Sequence, residues 1–230
     1  MKKRSLTLTT ILVLMLSMVT FIASAQVTTG PSDATTPPPA TAAAVAKVLC
    51  YGSPISLSGP QDVGAVDFAK YHWYKIDPNG VRQEVTTQTG RTYTETSGAA
   101  GYYNYQLVTE NANGCTSPLS DVIKIFVLPQ LSVSITTPTA SMCAVATNTS
   151  QLTANVTPTT GYTINYQWTR NGVAIPGATS STYDVTNEVT PATVTFGVSV
   201  SYALNSTCPA TNTKDIVITP LPTKPMITAN

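Results

Sequence analysis

The chain carries little charge. Among 230 residues, 12 Lys and Arg stand against 11 Asp and Glu, so the net charge is +1 and only 10% of residues are charged. Nucleic-acid-binding proteins normally show a basic stripe or patch, and this balance therefore argues against a nucleic-acid partner. Disorder caused by self-repulsion requires a high net charge and is disfavoured as well. Hydrophobic residues, at 42%, suffice for one or two folded cores.

Large aromatic residues are also few, with four Phe and two Trp, whereas threonine is abundant at roughly 40 residues. Threonine is β-branched and favours a pleated, half-hydrated surface. The composition therefore indicates an extracellular β-protein.

Residues able to perform catalysis or bind a metal are scarce. The single histidine, His72, precedes Trp73 and is expected on the solvent face of a strand, which argues against a Ser-His-Asp site. Asp62 and Asp67 are the nearest match to a glycosidase carboxylate pair, but we interpret them as loop residues, and a calcium site there lacks a recognisable ligand spacing. No phosphate-binding loop or dinucleotide fingerprint occurs. We predict no enzyme activity, no cofactor and no metal site.

The first 25 residues are predicted to be a secretory signal peptide. Residues 2–4 are basic, residues 11–22 are apolar, and Ala23-Ser24-Ala25 provides small residues for cleavage before Gln26. A transmembrane anchor is the alternative, but the apolar stretch is shorter than the about 20 residues that a bilayer requires. We therefore expect a secreted or cell-surface protein whose mature chain does not span the membrane.

Residues 26–44 are rich in Thr, Pro and Ala, and Pro37-Pro38-Pro39 favours extended backbone. No apolar residue recurs with a period in this segment. We predict a disordered or semi-extended linker, with a glycosylated stalk as the alternative.

Four landmarks recur in the same order, which indicates a tandem duplication. Each half has two cysteines with one tryptophan between them, and the tryptophan is followed by Asn-Gly, a strong signal for a type I′ hairpin turn. Corresponding cysteines are 93 residues apart in both cases. The landmarks are Cys50, Trp73, Asn79-Gly80 and Cys115 in the first unit, and Cys143, Trp168, Asn171-Gly172 and Cys208 in the second.

Hydrophobicity within each unit alternates with a period of two, as in residues 103–107, 123–127 and 194–202. Several short strands in about 90 residues, with a tryptophan framed by cysteines, predict an all-β fold of two antiparallel immunoglobulin-type sandwiches. Trp73 and Trp168 are expected to pack between the two sheets of each sandwich. Tyr103 is a candidate for the tyrosine corner of this fold, and alignment on the cysteines places Phe196 at its position in the second unit.

Several segments resemble bacterial Ig-like (PKD-like) repeats. They are residues 166–172 and 175–183 in the second unit, and 101–103 and 111–115 in the first. The resemblance covers about residues 45–222. Such repeats are common in secreted and cell-surface proteins of the Bacteroidota, and the resemblance implies a spacer or adhesive role.

The cysteines differ from the antibody arrangement, in which both lie within strands beside the tryptophan. Here Cys50 and Cys143 precede the second strand, and Cys115 and Cys208 follow the sixth, two places that we expect at one end of the sandwich. We therefore predict the pairs Cys50–Cys115 and Cys143–Cys208, which the repeat favours over the other two pairings. An oxidising compartment preserves such bonds. A zinc site is the alternative, but no CxxC pair occurs.

An exposed aromatic patch is predicted on the first unit. If Trp73 faces inward, then His72 and Tyr74 face outward on the third strand, and Tyr102 faces outward on the sixth. These strands are neighbours in the immunoglobulin topology, so the three side chains are candidates for binding a sugar or a protein. The alternative is that they are scattered exposed aromatics of no special function.

The connection between the units, around residues 127–131, is short and contains Pro129, which predicts a limited hinge and a rod-like pair. We expect a non-catalytic structural or adhesive protein whose partner is an unknown protein or glycan at the cell surface. The alternatives are a carbohydrate-binding accessory module and a fragment of a larger exported enzyme. The predicted organisation is a signal peptide (1–25), a linker (26–44), Ig-like domains at 45–128 and 131–220, and a tail (221–230) that resembles the approach to a further repeat.

Overall fold

A computed structural model describes residues 29–228 and contains two tandem β-sandwiches. The predicted signal peptide lies outside the described residues. The strands of the first sandwich are β1 (Lys47–Leu49), β2 (Pro54–Ser58), β3 (Lys70–Ile76), β4 (Arg82–Glu84), β5 (Thr92–Thr96), β6 (Gly101–Glu110) and β7 (Ile123–Val127). Those of the second are β8 (Ser132–Thr136), β9 (Ser141–Cys143), β10 (Thr149–Thr157), β11 (Ile164–Arg170), β12 (Val173–Ala174), β13 (Thr182–Thr186), β14 (Ala192–Tyr202) and β15 (Asn205–Thr219).

Each sandwich has a large and a small sheet with the strand order of an immunoglobulin domain. In the first, β1-β7-β6-β3-β4 packs against β2-β5; in the second, β12-β11-β14-β15-β9 packs against β13-β10-β8. All pairs are antiparallel except that β1 runs parallel to β7 and β9 parallel to β15. The predicted all-β fold of two Ig-like sandwiches is therefore confirmed, with one parallel pair added to each large sheet.

The alternating sequence pattern matches the alternating burial of the strands. Trp73 on β3 is 3% exposed and Trp168 on β11 is fully buried, and each packs in the core of its own sandwich. Each indole N–H donates a hydrogen bond of 2.9 Å to a backbone carbonyl, that of Gly90 or Ser180. A buried indole normally requires such an acceptor, so the two tryptophans occupy the same kind of site in both sandwiches.

The two Asn-Gly turns differ. Asn171 and Gly172 both have positive φ, at 50° and 81°, as the predicted type I′ turn requires. Of Asn79 and Gly80 in the first sandwich, only Gly80 has positive φ, and its N–H donates to the carbonyl of Asp77. Pro78 fixes φ near −65° at the first central position, which is incompatible with type I′, so the prediction of that turn type at Asn79-Gly80 is wrong.

The ladder register places Phe196 differently from the cysteine alignment. Lys75 of β3 pairs with Tyr105, and Arg170, at the same distance from its tryptophan, pairs with Phe196. Phe196 therefore corresponds to Tyr105 and not to Tyr103. The reason is an irregularity in β14 just before Tyr202, which changes the spacing between strand and cysteine.

Tyr103 forms the corner expected of an immunoglobulin-type fold. It is fully buried, and its hydroxyl donates to the carbonyl of Ala99 at 2.9 Å and accepts from the Ala99 N–H at 3.3 Å. Burial raises the pKa of Tyr103, so the hydroxyl stays protonated and able to donate.

Tyr103→Phe is expected to lower the free energy of unfolding by about 1–3 kcal/mol, because it removes a hydrogen bond of a buried hydroxyl and leaves half-buried backbone groups of Ala99 unpaired. Urea unfolding followed by tryptophan fluorescence measures this loss. Tyr51→Phe is the matched control, since Tyr51 is 47% exposed and contacts the same loop through one long hydrogen bond of 3.4 Å to Gly98. Equal effects of the two substitutions would contradict the corner's role.

Candidate functional site: the joint between the sandwiches

A disulfide joins the two sandwiches. Cys50, directly after β1, is bonded to Cys208 in β15, with 5.4 Å between the Cα atoms and 158 residues of sequence separation. Closing a loop of this size contributes about 5 kcal/mol in the chain-entropy model. Cys115 and Cys143 are free and exposed.

This bond contradicts the predicted pairs Cys50–Cys115 and Cys143–Cys208. Cys50 lies beside the Gly101 end of β6, whereas Cys115 lies beside its Glu110 end. The length of β6 separates these ends by about 30 Å, whereas a disulfide needs Cα atoms about 4–7 Å apart. The prediction failed because the start of the second strand and the end of the sixth lie at opposite ends of the sandwich.

The cysteines of the second sandwich are separated in the same way. Cys143 pairs with Thr219 at one end of β15, and Cys208 lies near the other end, close to the turn between β14 and β15. Each first cysteine is therefore at the end of its sandwich where the chain leaves, and each second cysteine is at the opposite end. The disulfide therefore links a cysteine of the first sandwich to a cysteine of the second, whereas the sequence predicted disulfides within each unit.

A separate apolar cluster fills the joint around the disulfide. Phe126 is 2% exposed and Leu128 is fully buried, although neither belongs to the core of the first sandwich. Tyr202 of the second sandwich is 1% exposed in the same cluster. The remaining members are Val48, Val45, Tyr102, Leu131, Tyr162, Ile164, Leu204 and Cys208.

Polar groups from the second sandwich also bind backbone carbonyls of the first and of the connection. The Asn205 side-chain amide donates to the carbonyl of Val48 at 2.8 Å, and the Tyr202 hydroxyl donates to that of Pro129 at 3.2 Å. Burial raises the pKa of Tyr202 to about 12, so its hydroxyl remains a neutral donor at physiological pH. The short connection is therefore part of a packed joint. Its contacts with the second sandwich distinguish it from the limited hinge that the sequence predicts.

The segment before β1, residues 29–46, lies against the first sandwich. It contains no strand, only a 3-10 turn at Ala42–Ala44 and one isolated bridge. Its backbone is nevertheless bonded to β6, because the Ser32 N–H donates to the Tyr102 carbonyl and the Tyr102 N–H donates to the Asp33 carbonyl, both at 2.7 Å. Gly101 permits this approach, because a Cβ there would lie 2.5 Å from the Asp33 carbonyl oxygen. The segment predicted to be a disordered or semi-extended linker is thus held against the first sandwich by contacts from Ser32 onward.

Side chains of this segment secure it further. The Ser32 hydroxyl donates to the Ile76 carbonyl at 2.5 Å, and the Tyr102 hydroxyl donates to the Pro37 carbonyl at 2.9 Å. Asp33 accepts hydrogen bonds from Thr35 and Thr36, which hold the pKa of that carboxyl well below its usual range. Pro39 is buried, and the segment then passes the second sandwich along a groove of about 460 Å³ lined by Pro38, Thr41, Gly161 and Ala203 among others. Residues 29–46 therefore form a strap that covers the joint from outside.

The predicted aromatic patch is divided. His72 and Tyr74 are half-buried neighbours on β3, whose register partners on β6 are Val108 and Gln106. Tyr102 lies at the other end of β6, packed on Phe126 at a ring distance of 4.8 Å and covered by the strap. The three side chains therefore do not form one surface, and Tyr102 belongs to the joint.

His72 sits instead in a small charged cluster. Its Nδ1 lies 2.7 Å from a carboxylate oxygen of Glu84, and its Nε2 lies 3.4 Å from one of Glu110. Lys70 donates to the other oxygen of Glu110 at 2.9 Å. The hydrogen bond with Glu84, followed by that with Glu110, raises the pKa of His72, because both favour the imidazolium form.

The stability of the first sandwich is expected to depend on pH through His72. Its pKa is raised above the unfolded value of 6.5, so the stabilisation is complete below about pH 6.5 and is lost as the pH rises through the folded pKa. Urea midpoints at about pH 5.5 and about pH 8.5 measure this for the protein and for His72→Gln. Because His72 is the only histidine, the pH-dependent difference should shrink in the variant; an unchanged difference would contradict the assignment.

Within residues 29–228 no three His, Cys, Asp or Glu side chains are grouped to hold a metal ion. No helix within the same range has the length and apolarity to cross a membrane.

Sequence reasoning missed Phe126, Tyr202 and Asn205 as residues of the joint. The sequence did contain an indication for Phe126. Ile125 and Val127 on β7 both point into the core of the sandwich, so the large aromatic residue between them points to the opposite face and indicates a second buried surface there. Asn205 gave no such signal, because a polar residue after a strand is typical of any turn.

Comparison with known proteins gives distant likenesses among solved structures. No family model and no curated protein matches the chain. Among solved structures, fibronectin(III)-like modules of CbhA from Clostridium thermocellum are 15% identical with a TM-score of 0.43, covering 85% of this chain and 99% of that chain. The four N-terminal Ig domains of Dscam1 isoform 8.4 are 18% identical with a TM-score of 0.35, covering 76% and 42%. Amphioxus IgVJ-C2 is 14% identical with a TM-score of 0.35, covering 75% and 99%.

At such identities and TM-scores these likenesses add nothing to the argument. The description of the chain as two Ig-like sandwiches rests on its own strand order and register. What distinguishes this pair of sandwiches is the joint between them.

Proposed function

We propose that this chain is a non-catalytic structural protein of the cell exterior, in which two Ig-like sandwiches form one stiff spacer. The observation that carries the proposal is the joint, which is bonded by Cys50–Cys208, filled by a buried apolar cluster and strapped by residues 29–46. Tandem domains joined only by a short connection keep relative motion by default, and a large apolar contact removes it. A spacer or an adhesive stalk needs domains that are fixed relative to each other, whereas a flexible hinge suits domains that close around a ligand.

Export is part of the proposal. A disulfide persists in an oxidising compartment, and the basic, apolar and small-residue order of residues 2–25 is that of a secretory signal peptide. The resemblance of residues 45–222 to Ig-like repeats of Bacteroidota secreted and cell-surface proteins supports the same location. The partner is then a protein or glycan at that surface, or a further Ig-like unit.

The stiffness of the joint can be measured with the two free thiols. Dyes placed on Cys115 and Cys143, at the outer ends of the two sandwiches, report the end-to-end distance by single-molecule energy transfer. We expect one narrow distribution. Reduction of Cys50–Cys208 combined with Phe126→Ala should broaden it, because both restraints on the joint are then weakened. A broad distribution in the unmodified protein would contradict the spacer proposal.

A glycan array with the exported chain tests the competing carbohydrate-binding function. We expect no specific binding, because Tyr102 is covered by the strap and separated from His72 and Tyr74. Specific binding that is lost in Tyr74→Ala would favour a sugar-binding module in place of the spacer. Fractionation of the producing cells tests export, and recovery of the uncleaved chain from the cytoplasm would overturn that part of the proposal.

A further inference from the structure

Each free cysteine lies at the same end of its sandwich as the bonded cysteine that corresponds to it. Cys50 directly follows β1 and Cys143 ends β9, and each of these strands pairs in parallel with the last strand of its sandwich. Cys115 lies in the turn that follows β6, and Cys208 lies near the start of β15, after the turn that follows β14. The bond in the structure therefore links the first cysteine of one unit to the second cysteine of the next.

We propose that the same bond continues between molecules: Cys143 of one copy bonds Cys115 of a second copy, and the chains join head to tail. The Cys50–Cys208 bond shows that a first and a second cysteine meet when one sandwich follows another end to end. Within residues 29–228, Cys143 is a first cysteine beside which no following sandwich lies, and Cys115 is a second cysteine beside which no preceding sandwich lies. Both are exposed.

A bond between Cys115 and Cys143 within one molecule is excluded by distance. Cys115 lies at the Glu110 end of β6, away from the joint, and Cys143 lies beside Thr219, at the far end of β15. The lengths of both sandwiches separate them, each about 30 Å. The two thiols can therefore pair only between molecules. A contact between two different ends is heterologous, and repetition gives an open chain rather than a closed dimer.

The outer ends of the two sandwiches differ from the joint because they lack its buried apolar residues. At the joint, Phe126 beside Val127 is buried, whereas its counterpart Val217 beside Ile218 is 42% exposed. The turn beside Cys115 carries Asn111 and Asn113, where the turn beside Cys208 carries Tyr202 and Leu204. The outer ends thus lack the apolar cluster, so the disulfide and not packing holds the copies together. Reduction should then separate copies while each molecule keeps its own joint packed.

The chemistry is a two-electron oxidation. Two thiols lose two protons and two electrons as one S–S bond forms, and a disulfide oxidant such as oxidised glutathione accepts them and becomes two thiols. This proposal goes beyond the spacer function and shares with it two requirements, the Cys50–Cys208 bond and an oxidising compartment.

Oxidation of the purified protein in a glutathione redox buffer, followed by a non-reducing gel, tests the proposal. We expect a ladder of dimers, trimers and longer species that collapses to monomer on reduction. Cys115→Ser alone and Cys143→Ser alone should each remain monomeric. A mixture of these two variants should give dimers and nothing larger, because each supplies one end. Mass spectrometry of the dimer should find Cys115 linked to Cys143.

Two results would overturn the proposal. Dimers of either single variant by itself would mean like-with-like pairing of exposed thiols. Monomers whose cysteines are capped by glutathione would mean that the ends do not meet. Neither result touches the stiffness of the joint, which the energy-transfer experiment reads separately, so failure of polymerisation and failure of the spacer function are distinguishable.

Discussion

Phe126→Ala is expected to lower the free energy of unfolding by about 3–5 kcal/mol, although Phe126 lies outside both sandwich cores. The side chain is 2% exposed and packs on Tyr102 inside the joint, and its removal leaves a cavity that the strap and the second sandwich cannot fill without moving. Urea unfolding monitored by tryptophan fluorescence measures the loss, since Trp73 and Trp168 report on one sandwich each.

Val217→Ala is the matched control for this experiment. Val217 precedes Ile218 on β15 as Phe126 precedes Val127 on β7, but it is 42% exposed. Its substitution should change the free energy of unfolding by no more than about 0.5 kcal/mol. A loss for Phe126→Ala as small as that of the control would mean that the joint contributes little, and it would remove the physical basis of a stiff spacer.

Glu95→Gln is expected to cost about 3–5 kcal/mol of stability in the first sandwich. Lys75 is 1% exposed and donates to Glu95 at 2.5 Å, with the ammonium 5.0 Å from the centre of the Tyr103 ring. The Tyr93 hydroxyl donates to the other carboxylate oxygen. Gln retains the volume and an acceptor for Tyr93, so the loss comes from leaving the Lys75 charge buried without a counter-charge.

A double variant separates this cause from simple loss of packing. Lys75→Met in the Glu95→Gln background removes the uncompensated charge and should restore part of the stability. Arg170, the register counterpart of Lys75 in the second sandwich, pairs with Glu188 and provides the less buried control, because the Arg170 side chain is 45% exposed, although that of Glu188 is 12% exposed. Glu188→Gln should cost at most about 1 kcal/mol. No recovery in the double variant would contradict the electrostatic explanation.

The fold could be predicted because its signals are local. The alternation in residues 194–202 specifies which side chains of β14 face the core, and the inward tryptophans follow from the same period of two. The turn at Asn171-Gly172 was predictable for the same reason, since two residues with positive φ need Asn and Gly. Pro78 shows the limit: one neighbouring residue changed the turn type at Asn79-Gly80.

The joint could not be predicted because its signals are distant in sequence. Val48 receives a hydrogen bond from Asn205, and Cys50 bonds Cys208, so both contacts depend on how one sandwich docks on the next. The 93-residue repeat indicates which cysteines lie at the same end of each unit but not which of them pair, because the spacing is the same whether the bonds form within a unit or between units. The contacts of the strap could not be predicted either, because it pairs with β6 through an isolated backbone bridge, which requires no periodic pattern in the sequence.

A disulfide bonds the two sandwiches to each other across their joint. Non-reducing proteolysis of the exported protein, with free thiols blocked before digestion, followed by mass spectrometry, identifies which cysteines are linked. We expect one linked peptide pair containing Cys50 and Cys208, with Cys115 and Cys143 recovered as blocked thiols in the monomer. Peptides linking Cys50 to Cys115 and Cys143 to Cys208 would contradict it, and with it the locked joint on which the proposed function and the head-to-tail chain both depend.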